Sequence, residues 1–194
     1  ALEPSSLRGL ARVLVIGGEA LYAHHVKTWR ENGPDTRLIN EYGPTEAAVG
    51  CCIYEVPRQG PIRENLPIGH PVSNTQLFVL DRDLNPVPAG VVGELYIGGD
   101  SLARGYLNRP DLTHERFIGN PFSADPARRL YKTGDLARYL PDGNLEYLGR
   151  SDHQVKIRGF RSELEEIETT LVNIPGIREA LVIAQDLGQG EKRL

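Results

Sequence analysis

The sequence predicts a mixed α/β (α+β) fold in which a strand–helix alternation is followed by a segment rich in antiparallel strands. Residues 11–55 alternate short apolar runs with one helix-like stretch, as in parallel, doubly wound sheets. Residues 75–150 contain runs of alternating polarity separated by turn sequences, which is typical of hairpins. With 194 residues, 40% of them hydrophobic, the chain is long enough to bury a core.

The first segment is predicted to run strand, helix, strand. The apolar run VLVI is followed by a Gly-Gly pair, after which Leu21, Val26 and Trp29 can share one helix face. The Gly-Pro pair at 33–34 ends this helix, and TRLIN begins the next strand. The stretch EYGPTE at 41–46 therefore falls at the carboxyl end of a strand, where open α/β sheets bind ligands.

The middle of the chain is predicted to form a small antiparallel sheet. Residues 57–71 are rich in Pro and Gly and indicate an irregular connection. TQLFVLD and GELYIGG alternate as strands do, and DLARYLPDGNLEYLGR predicts a hairpin that closes at 141–144. Between them, RPDLTHERFI predicts a short helix that carries Phe117 and Ile118 inward.

The pattern changes again at residues 150–152. Beyond them, HQVKIRG is predicted to be a strand and SELEEIETTLVNI a helix. Ser162 and Glu165 have the spacing of a capping box for that helix. The stretch IREALVIAQD at 177–186 is predicted to be one more strand.

Composition argues against several classes of function. The net charge of −4 leaves no broad basic surface for nucleic acid, and no run approaches the ~18 apolar residues of a membrane span. There is no secretory signal, and the adjacent Cys51 and Cys52 make no disulfide framework, so we expect a cytoplasmic protein with both thiols buried. The absence of Met, even at position 1, suggests a piece of a longer chain.

The loop EYGPTE combines residue types that suit a nucleotide. The Gly-Pro pair fixes a tight backbone that holds its neighbours. The Tyr42 ring can stack on a base, the Thr45 hydroxyl can donate to a phosphate oxygen, and the Glu46 carboxylate can hold Mg²⁺. Asp135, after the Thr-Gly turn of YKTGDL, can accept two ribose hydroxyls. Each pattern taken singly also fits plain turn structure.

Taken together, four stretches resemble the adenylation domains of nonribosomal peptide synthetases in their order and spacing. They are LVIGGEAL, NEYGPTE, GELYIGGDSLARGYLNRPDLTHERF and RLYKTGDLARYLPDGNLEYLGRSDHQVKIRGFRSELEEIE, and the resemblance covers residues 7–194. Acyl-CoA synthetases and luciferases share some of these motifs, but NEYGPTE and GYLNRPDLT are more similar to the peptide synthetase branch.

The resemblance implies a two-step reaction. An amino acid carboxylate attacks the α-phosphorus of ATP, which gives an aminoacyl-adenylate and pyrophosphate with the help of Mg²⁺. The acyl group then passes to the phosphopantetheine thiol of a peptidyl carrier protein domain. The implied partners are therefore an amino acid, that carrier domain and neighbouring synthetase domains.

The resemblance also implies roles for individual residues. Tyr42 would stack on adenine, with Asn40 near its edge, and Thr45 would contact the α-phosphate. Asp135 would hold the ribose, and Arg150 would reach ribose or phosphate. The implied nucleotide-binding set is Asn40, Tyr42, Gly43, Thr45, Asp135, Tyr147 and Arg150; the catalytic set is Thr45, Glu46, Asp135 and Arg150; the metal ligand is Glu46.

By the same resemblance, the chain divides into four parts. Residues 1–60 would end a large, doubly wound α/β core, 61–149 would form its β subdomain, and 150–152 would be a hinge centred on Asp152. Residues 153–194 would begin a small α/β lid. The family's glycine-rich phosphate loop and its lid lysine have no counterpart here, so we expect the isolated chain to be inactive.

The implied amino-acid pocket is lined by Val15, Gly17, Glu41, Val49 and Gly50. Glu41 is the informative member, because a desolvated carboxylate needs donors, and a bond to a charged acceptor is worth about 1.5–3 kcal/mol. A carboxamide or a cation supplies such donors, which predicts asparagine first and ornithine or another cationic amino acid second. Alternatively, Glu41 turns towards solvent or an internal Arg.

Two other functions stay open from the sequence. The chain could be a non-catalytic binding or interaction module, which saturable ATP binding without pyrophosphate chemistry would favour. It could also belong to an acyl- or aryl-acid ligase, which activation of an acid lacking an amino group would indicate. Only the site can decide among these functions.

Overall fold

Two sheets that share one core carry the residues of interest. The computed structural model describes residues 7–152, 154–157, 160–188 and 191–194. The elements in these ranges, in chain order, are β1 Val13–Gly17, α1 Ala23–Asn32, β2 Arg37–Tyr42, β3 Cys52–Glu55, β4 His70–Pro71, β5 Thr75–Leu80, β6 Gly93–Gly99, α2 Pro110–Arg116, β7 Phe117–Gly119, β8 Arg129–Tyr139, β9 Leu145–Arg150, β10 Gln154–Ile157, β11 Phe160–Glu163, α3 Leu164–Val172, β12 Gln185–Gly188 and β13 Glu191–Arg193.

The first sheet has the order β1-β2-β3-β4. Strands β1 and β2 are parallel and joined through α1, so the predicted strand–helix–strand unit is present. Strands β3 and β4 add in antiparallel fashion, because the loop between β2 and β3 is too short for a helical crossover. The ladder continues to His70–Pro71, beyond residue 60, where the predicted core segment ends.

Helix α1 packs on this sheet through the face that the sequence predicts. Val26 is fully buried, Leu21 is buried just before the helix, and Trp29 packs against the same cluster. Leu38 of β2 and Leu66 of the 57–71 segment complete the cluster. Burial of such side chains contributes roughly 1.5–3 kcal/mol each, which fixes the helix against the strand that leads to Tyr42.

The second sheet has the order β5-β6-β8-β7, with β9 paired to β8, and every pairing in it is antiparallel. The predicted hairpin is β8–β9, closed at residues 141–144. Helix α2 ends at Arg116, so Phe117 and Ile118 belong to β7 and not to the helix that was predicted to carry them. Pairing with Tyr131 of β8 positions Phe117, which is buried.

The two sheets meet in one hydrophobic cluster. Tyr42, Cys51 and Cys52 of the first sheet region pack with Leu95 and Tyr131 of the second. The end of β2 is therefore held against the middle of β8. This contact brings the two halves of the predicted nucleotide site together.

Two predictions near the end of the chain are wrong. Helix α3 begins at Leu164 with Glu163 at its N-cap, and Ser162 lies in β11 paired with Val155, so the predicted capping box does not form. Residues 177–184 form no strand, and β12 begins only at Gln185. One side of this apolar alternation is left exposed, since Leu181 is 82% exposed.

The described residues contain no helix that is both long enough and apolar enough to cross a membrane. The longest α-helix in the described part of the chain, α1, has ten residues, whereas a span needs about 20. This finding agrees with the absence of long apolar runs in the sequence.

Candidate active site

A cavity of about 360 Å³ opens where the carboxyl ends of β1 and β2 face β9. This size suits a small ligand. Its lining residues are Gly18, Glu19, Ala20, Leu21, Tyr22, Asn40, Glu41, Tyr42, Gly43, Asn65, Leu66, Ile68, Tyr147, Leu148, Gly149, Arg150 and Gln154.

Most of the predicted nucleotide-binding residues line this cavity. Asn40, Tyr42 and Gly43 approach from the first sheet, and Tyr147 and Arg150 approach from β9. The remaining two, Asp135 and Thr45, are not wall residues: Asp135 is buried directly behind Tyr42, and Thr45 is exposed just beyond the Gly-Pro turn.

Tyr42 ends β2 and is tied to the second sheet. Its Oη donates a hydrogen bond of 2.5 Å to Oδ2 of Asp135, across 93 residues of sequence. Burial, together with the neighbouring Asp135 carboxylate, raises the pKa of Tyr42 well above its usual value, so the hydroxyl stays protonated as a donor. The Tyr147 ring lies 6.2 Å away, centroid to centroid, at an angle of 35°. The two rings thus form adjoining parts of one wall.

Asn40 is fixed by the segment that joins the two sheets. Its side-chain nitrogen donates to the Pro67 carbonyl at 2.7 Å, and the residue is 3% exposed. The amide therefore helps to hold the 57–71 segment against β2. Its predicted place near the adenine edge stays a prediction.

Arg150 connects Asp135 with the predicted hinge residue. Its Nη1 donates to Asp135 Oδ1 at 2.7 Å, and its Nε and Nη2 grip the two oxygens of Asp152 at 2.6 and 2.7 Å. Although burial opposes ionisation, the Arg150 hydrogen bonds hold the pKa of Asp152 below its usual value. One guanidinium therefore serves both the predicted ribose residue and the predicted hinge.

The glycine of YKTGDL is required by this ion-pair network. Gly134 has φ +75°, and a Cβ there would lie 2.6 Å from Asp152 Oδ2 and 2.7 Å from Arg150 Nη2. The hydroxyl of Thr133, the preceding residue, accepts the Asp135 N–H at 2.9 Å. The Thr-Gly pair thus places the Asp135 carboxylate where Arg150 can reach it.

The loop after Tyr42 is strained. Residues Thr45–Ala47 form a short 3-10 helix, after which Ala48 (φ 56°) and Val49 (φ 70°) adopt left-handed backbone conformations. Such a conformation is unfavourable for a β-branched residue and costs on the order of 1–3 kcal/mol. The turn is closed by the Ala47 and Val49 N–H groups, which donate to the Pro44 carbonyl. Strain of this kind is common at ligand-binding loops.

Glu46, the predicted Mg²⁺ ligand, is buried at 6% exposure. Oη of Tyr106 donates to its Oε1 at 2.6 Å. Burial, with this hydrogen bond next in size, raises the pKa of Tyr106 well above its usual value, so the phenol remains a donor. Among the residues that the structure describes, no group of three or more His, Cys, Asp or Glu side chains could hold a metal. A single carboxylate still fits Mg²⁺ where substrate phosphates supply other ligands.

Three members of the predicted amino-acid pocket meet in space. Gly17 pairs with Glu41 across β1 and β2, and a Cβ on Gly50 would overlap the Glu41 carboxylate. Val15 lies two residues before Gly17 on the same strand face, and Val49 adjoins Gly50; both valines are more than half exposed. Among the described residues, none donates a hydrogen bond to the Glu41 carboxylate, whereas one alternative placed an internal Arg there.

The two cysteines are buried as free thiols. Sγ of Cys51 lies 3.4 Å from the Tyr42 carbonyl, and Sγ of Cys52 lies 3.0 Å from that of Ile68. Burial raises the pKa of Cys51 to about 12, so at pH 8 only about 1 in 10⁴ of its thiols is ionised.

We therefore expect that iodoacetamide at pH 8 labels neither cysteine of the folded protein. Both should be labelled once guanidinium chloride unfolds the chain. Mass spectrometry of tryptic peptides measures both states. Rapid alkylation of either thiol under native conditions would contradict the packing described for Cys51 and Cys52.

The sequence carries no signal for several residues of the cavity wall. Asn65 and Leu66 lie in the irregular 57–71 segment, which long-range backbone pairing with Tyr22 and Leu21 holds in place. The Asn65 side chain also donates to the Tyr147 carbonyl at 3.0 Å. Because these contacts join residues far apart in sequence, no local pattern could predict them. Only the density of Pro and Gly marked the segment as unusual.

Comparison with known proteins identifies the class to which this fold belongs. The chain belongs to the AMP-binding enzymes, since the sequence model of that family matches residues 1–107. More particularly, it is 55% identical over 94% of its length to malpibaldin synthetase of Mortierella alpina and 49% identical over 94% to tyrocidine synthase 3 of Brevibacillus parabrevis. It spans only 3% of the length of each of these two relatives.

Comparison with solved structures also points to adenylation domains. PA1221 is described as a nonribosomal peptide synthetase protein with adenylation and PCP domains. Its match covers 98% of this chain and 38% of the PA1221 chain, with a TM-score of 0.85 and 33% sequence identity. NpsA-ThdA is an artificially fused adenylation-PCP di-domain from Klebsiella oxytoca. Its match covers 98% of this chain and 35% of the NpsA-ThdA chain, with a TM-score of 0.83 and 27% sequence identity. The resemblance to peptide synthetase adenylation domains is thus confirmed.

Proposed function

We propose that this chain supplies the adenine, ribose and metal side of an amino-acid-activating site in a nonribosomal peptide synthetase. The proposed reaction joins the carboxylate of an amino acid to the α-phosphorus of ATP and releases pyrophosphate. The observation that carries the proposal is the buried hydrogen bond of Tyr42 with Asp135, which joins the motifs NEYGPTE and YKTGDL at 2.5 Å directly behind the cavity wall. The family match supports the use of ATP.

The proposed nucleotide pose follows from the charges and rings of the wall. Tyr42 and Tyr147 of the cavity wall offer aromatic surface to adenine. The Asp135 carboxylate, which is buried behind Tyr42, is proposed to hold the ribose hydroxyls. Arg150 neutralises the buried Asp135 charge and also lines the cavity, where its cationic group is proposed to interact with the nucleotide. Thr45, exposed at the loop, is available to the α-phosphate. When bound at Glu46, Mg²⁺ would neutralise part of the phosphate charge.

The acyl group is proposed to move next to the phosphopantetheine thiol of a carrier domain. The solved relatives that combine adenylation and PCP domains support this partner. Asp152 is proposed as the hinge for that second step, because it joins β9 to β10 and is held by Arg150 in the structure.

Asparagine is the proposed amino acid, with a cationic amino acid such as ornithine second. Glu41 borders the open space of the cavity, and its carboxylate packs against Gly50, where a Cβ would overlap Oε1. A carboxamide N–H₂ or an ammonium group entering that space would find an acceptor that no described residue already occupies.

The test is a comparison of wild-type protein with Glu41→Gln in the complete adenylation domain. Pyrophosphate exchange into ATP is measured with a panel of amino acids. We expect wild-type exchange to be led by asparagine, and the substitution to lower the preference for asparagine over leucine by about 10–100-fold, since one charge-assisted hydrogen bond is weakened. Glu31→Gln, on the exposed face of α1, is the control and should change nothing.

The other outcomes separate the alternatives. Exchange led by an apolar or acidic amino acid would keep the family and remove the role given to Glu41. Exchange with acids that lack an amino group would favour an acyl- or aryl-acid ligase. Saturable ATP binding without exchange would favour a binding module.

A further inference from the structure

Behind the candidate metal ligand lies a small hydroxyl cluster. The Tyr106 hydroxyl is 2.6 Å from Glu46 Oε1 and 3.5 Å from the hydroxyl of Tyr131. Tyr131 is fully buried in β8, and Glu46 is 6% exposed. One oxygen of the Glu46 carboxylate therefore accepts a hydrogen bond from the partly buried phenol of Tyr106, sixty residues away in sequence.

The segment that carries Tyr106 holds Glu46 through the backbone as well. The Ala103 N–H donates to the Glu46 carbonyl at 2.8 Å. The Tyr106 N–H donates to Oγ1 of Thr113 in α2 at 2.9 Å, which ties the segment to a helix. The Tyr106 ring meets Phe117 edge to face at 5.8 Å. The position of the hydroxyl is thus fixed by ring packing and by backbone, before any ligand arrives.

We propose that Tyr106 is a positioning residue that orients the Glu46 carboxylate for Mg²⁺. A hydrogen bond from a rigid donor to one oxygen fixes the carboxylate's rotation, so the group meets the metal without first losing conformational freedom. The proposal rests on the proposed function, because it assigns Glu46 to Mg²⁺. It goes beyond that function by giving the segment ARGYL, residues 103–107, a role in metal binding in addition to packing.

A merely structural role makes a different prediction. If Tyr106 only filled space, its hydroxyl would contribute to folding and leave the metal dependence unchanged. Tyr139 offers a matched comparison, since it is also partly buried and its hydroxyl donates to the Leu77 carbonyl at 2.9 Å instead of to a predicted site residue. Tyr106→Phe and Tyr139→Phe each delete one such hydroxyl and keep the ring.

The first measurement is the Mg²⁺ dependence of pyrophosphate exchange in the complete adenylation domain. With Tyr106→Phe we expect the Mg²⁺ concentration for half-maximal exchange to rise about 10–100-fold, with little change in KM for the amino acid. Tyr139→Phe should keep the wild-type Mg²⁺ curve. Glu46→Gln marks the full loss of the metal ligand.

The second measurement needs neither Mg²⁺ nor ATP. Urea unfolding of Tyr106→Phe, Glu46→Gln and the double variant measures whether the two side chains act together. We expect the change in the unfolding equilibrium constant of the double variant to differ from the product of the two single changes by about threefold or more. The reason is that either substitution alone already breaks the contact between Tyr106 and Glu46. The cycle of Tyr139→Phe with Glu46→Gln should be additive.

Failure of this proposal can be told from failure of the proposed function. Wild-type protein without amino-acid-dependent exchange would overturn both. Normal wild-type exchange, with Tyr106→Phe matching Tyr139→Phe in its Mg²⁺ curve, would overturn only the role of Tyr106. Additivity in both unfolding cycles would likewise overturn it, since no energetic contact with Glu46 would then exist.

Discussion

Gly43→Ala is expected to disrupt the loop after Tyr42 and to reduce exchange more than about 100-fold. A Cβ at this position would overlap the Val49 carbonyl oxygen and lie 2.9 Å from the Cys51 nitrogen. Both are backbone atoms that cannot move alone, because the Cys51 N–H is bonded to the Tyr42 carbonyl and Val49 already has a strained φ. We expect a loss of unfolding free energy of about 3–5 kcal/mol, as for other severe steric changes. Urea unfolding and pyrophosphate exchange measure the two effects.

Gly119→Ala is the control for this substitution. A Cβ there would meet nothing within 4 Å, and the residue does not have a positive φ. It should shift the unfolding midpoint only slightly. A Gly43→Ala protein that unfolds and exchanges like Gly119→Ala would show that the close approach of the two loop ends is not required.

Asp135→Asn is expected to cost about 3 kcal/mol of unfolding free energy and to weaken ATP binding about 100-fold. The buried carboxylate accepts from Tyr42 Oη and from Arg150 Nη1, and it is the group proposed to hold the ribose. A side-chain amide accepts hydrogen bonds only through its oxygen, so either Tyr42 Oη or Arg150 Nη1 would face the N–H₂ group of the new Asn. Arg150 would also lose its buried counter-charge. Urea unfolding and isothermal titration calorimetry with ATP measure these changes.

Asp100→Asn provides the comparison. Its ion pair with Arg128 is as short, at 2.6 Å, but both side chains are more than half exposed. Solvent screens such a pair, so its loss should hardly change stability or ATP binding. Equal effects of the two substitutions would contradict the view that burial gives the Asp135 contact its energy.

The strands and the first helix could be predicted because their signals are local. The alternation of TQLFVLD, the hairpin turn at 141–144 and the apolar face of α1 each arise from the chain's own periodicity. The grouping of Tyr42 with Asp135 required more than local reasoning. It came from the resemblance of the motifs, and the structure places the two side chains in contact.

The remaining features depend on contacts that a sequence pattern cannot register. Ser162 has the right spacing for a cap, yet pairing with Val155 in β11 holds it in a strand, and tertiary context overrides the local signal. Tyr106 reads as an ordinary aromatic residue until the fold brings it to Glu46. Asn65 is positioned by a bridge to Tyr22, more than forty residues earlier.

The site links the predicted ribose residue to the predicted hinge through one side chain. Arg150 pairs with Asp135 and with Asp152 at once, and Arg116 of α2 approaches Asp152 at 3.7 Å. Rotation about Asp152 would therefore change the hydrogen bonds of a guanidinium that also holds the nucleotide side of the cavity. Arg150 thus joins the predicted hinge residue and the predicted ribose residue by direct hydrogen bonds.

The proposed function makes the cavity beside Tyr42, with Asp135 buried behind it, the ATP site of an amino-acid-activating domain. The most direct test is exchange of labelled pyrophosphate into ATP by the complete adenylation domain, with each amino acid in turn and with Asp135→Asn in parallel. We expect amino-acid-dependent exchange in the wild-type protein that falls sharply in the variant. Exchange that is equally strong in Asp135→Asn, or no exchange with any amino acid by a folded wild-type domain, would contradict the claim.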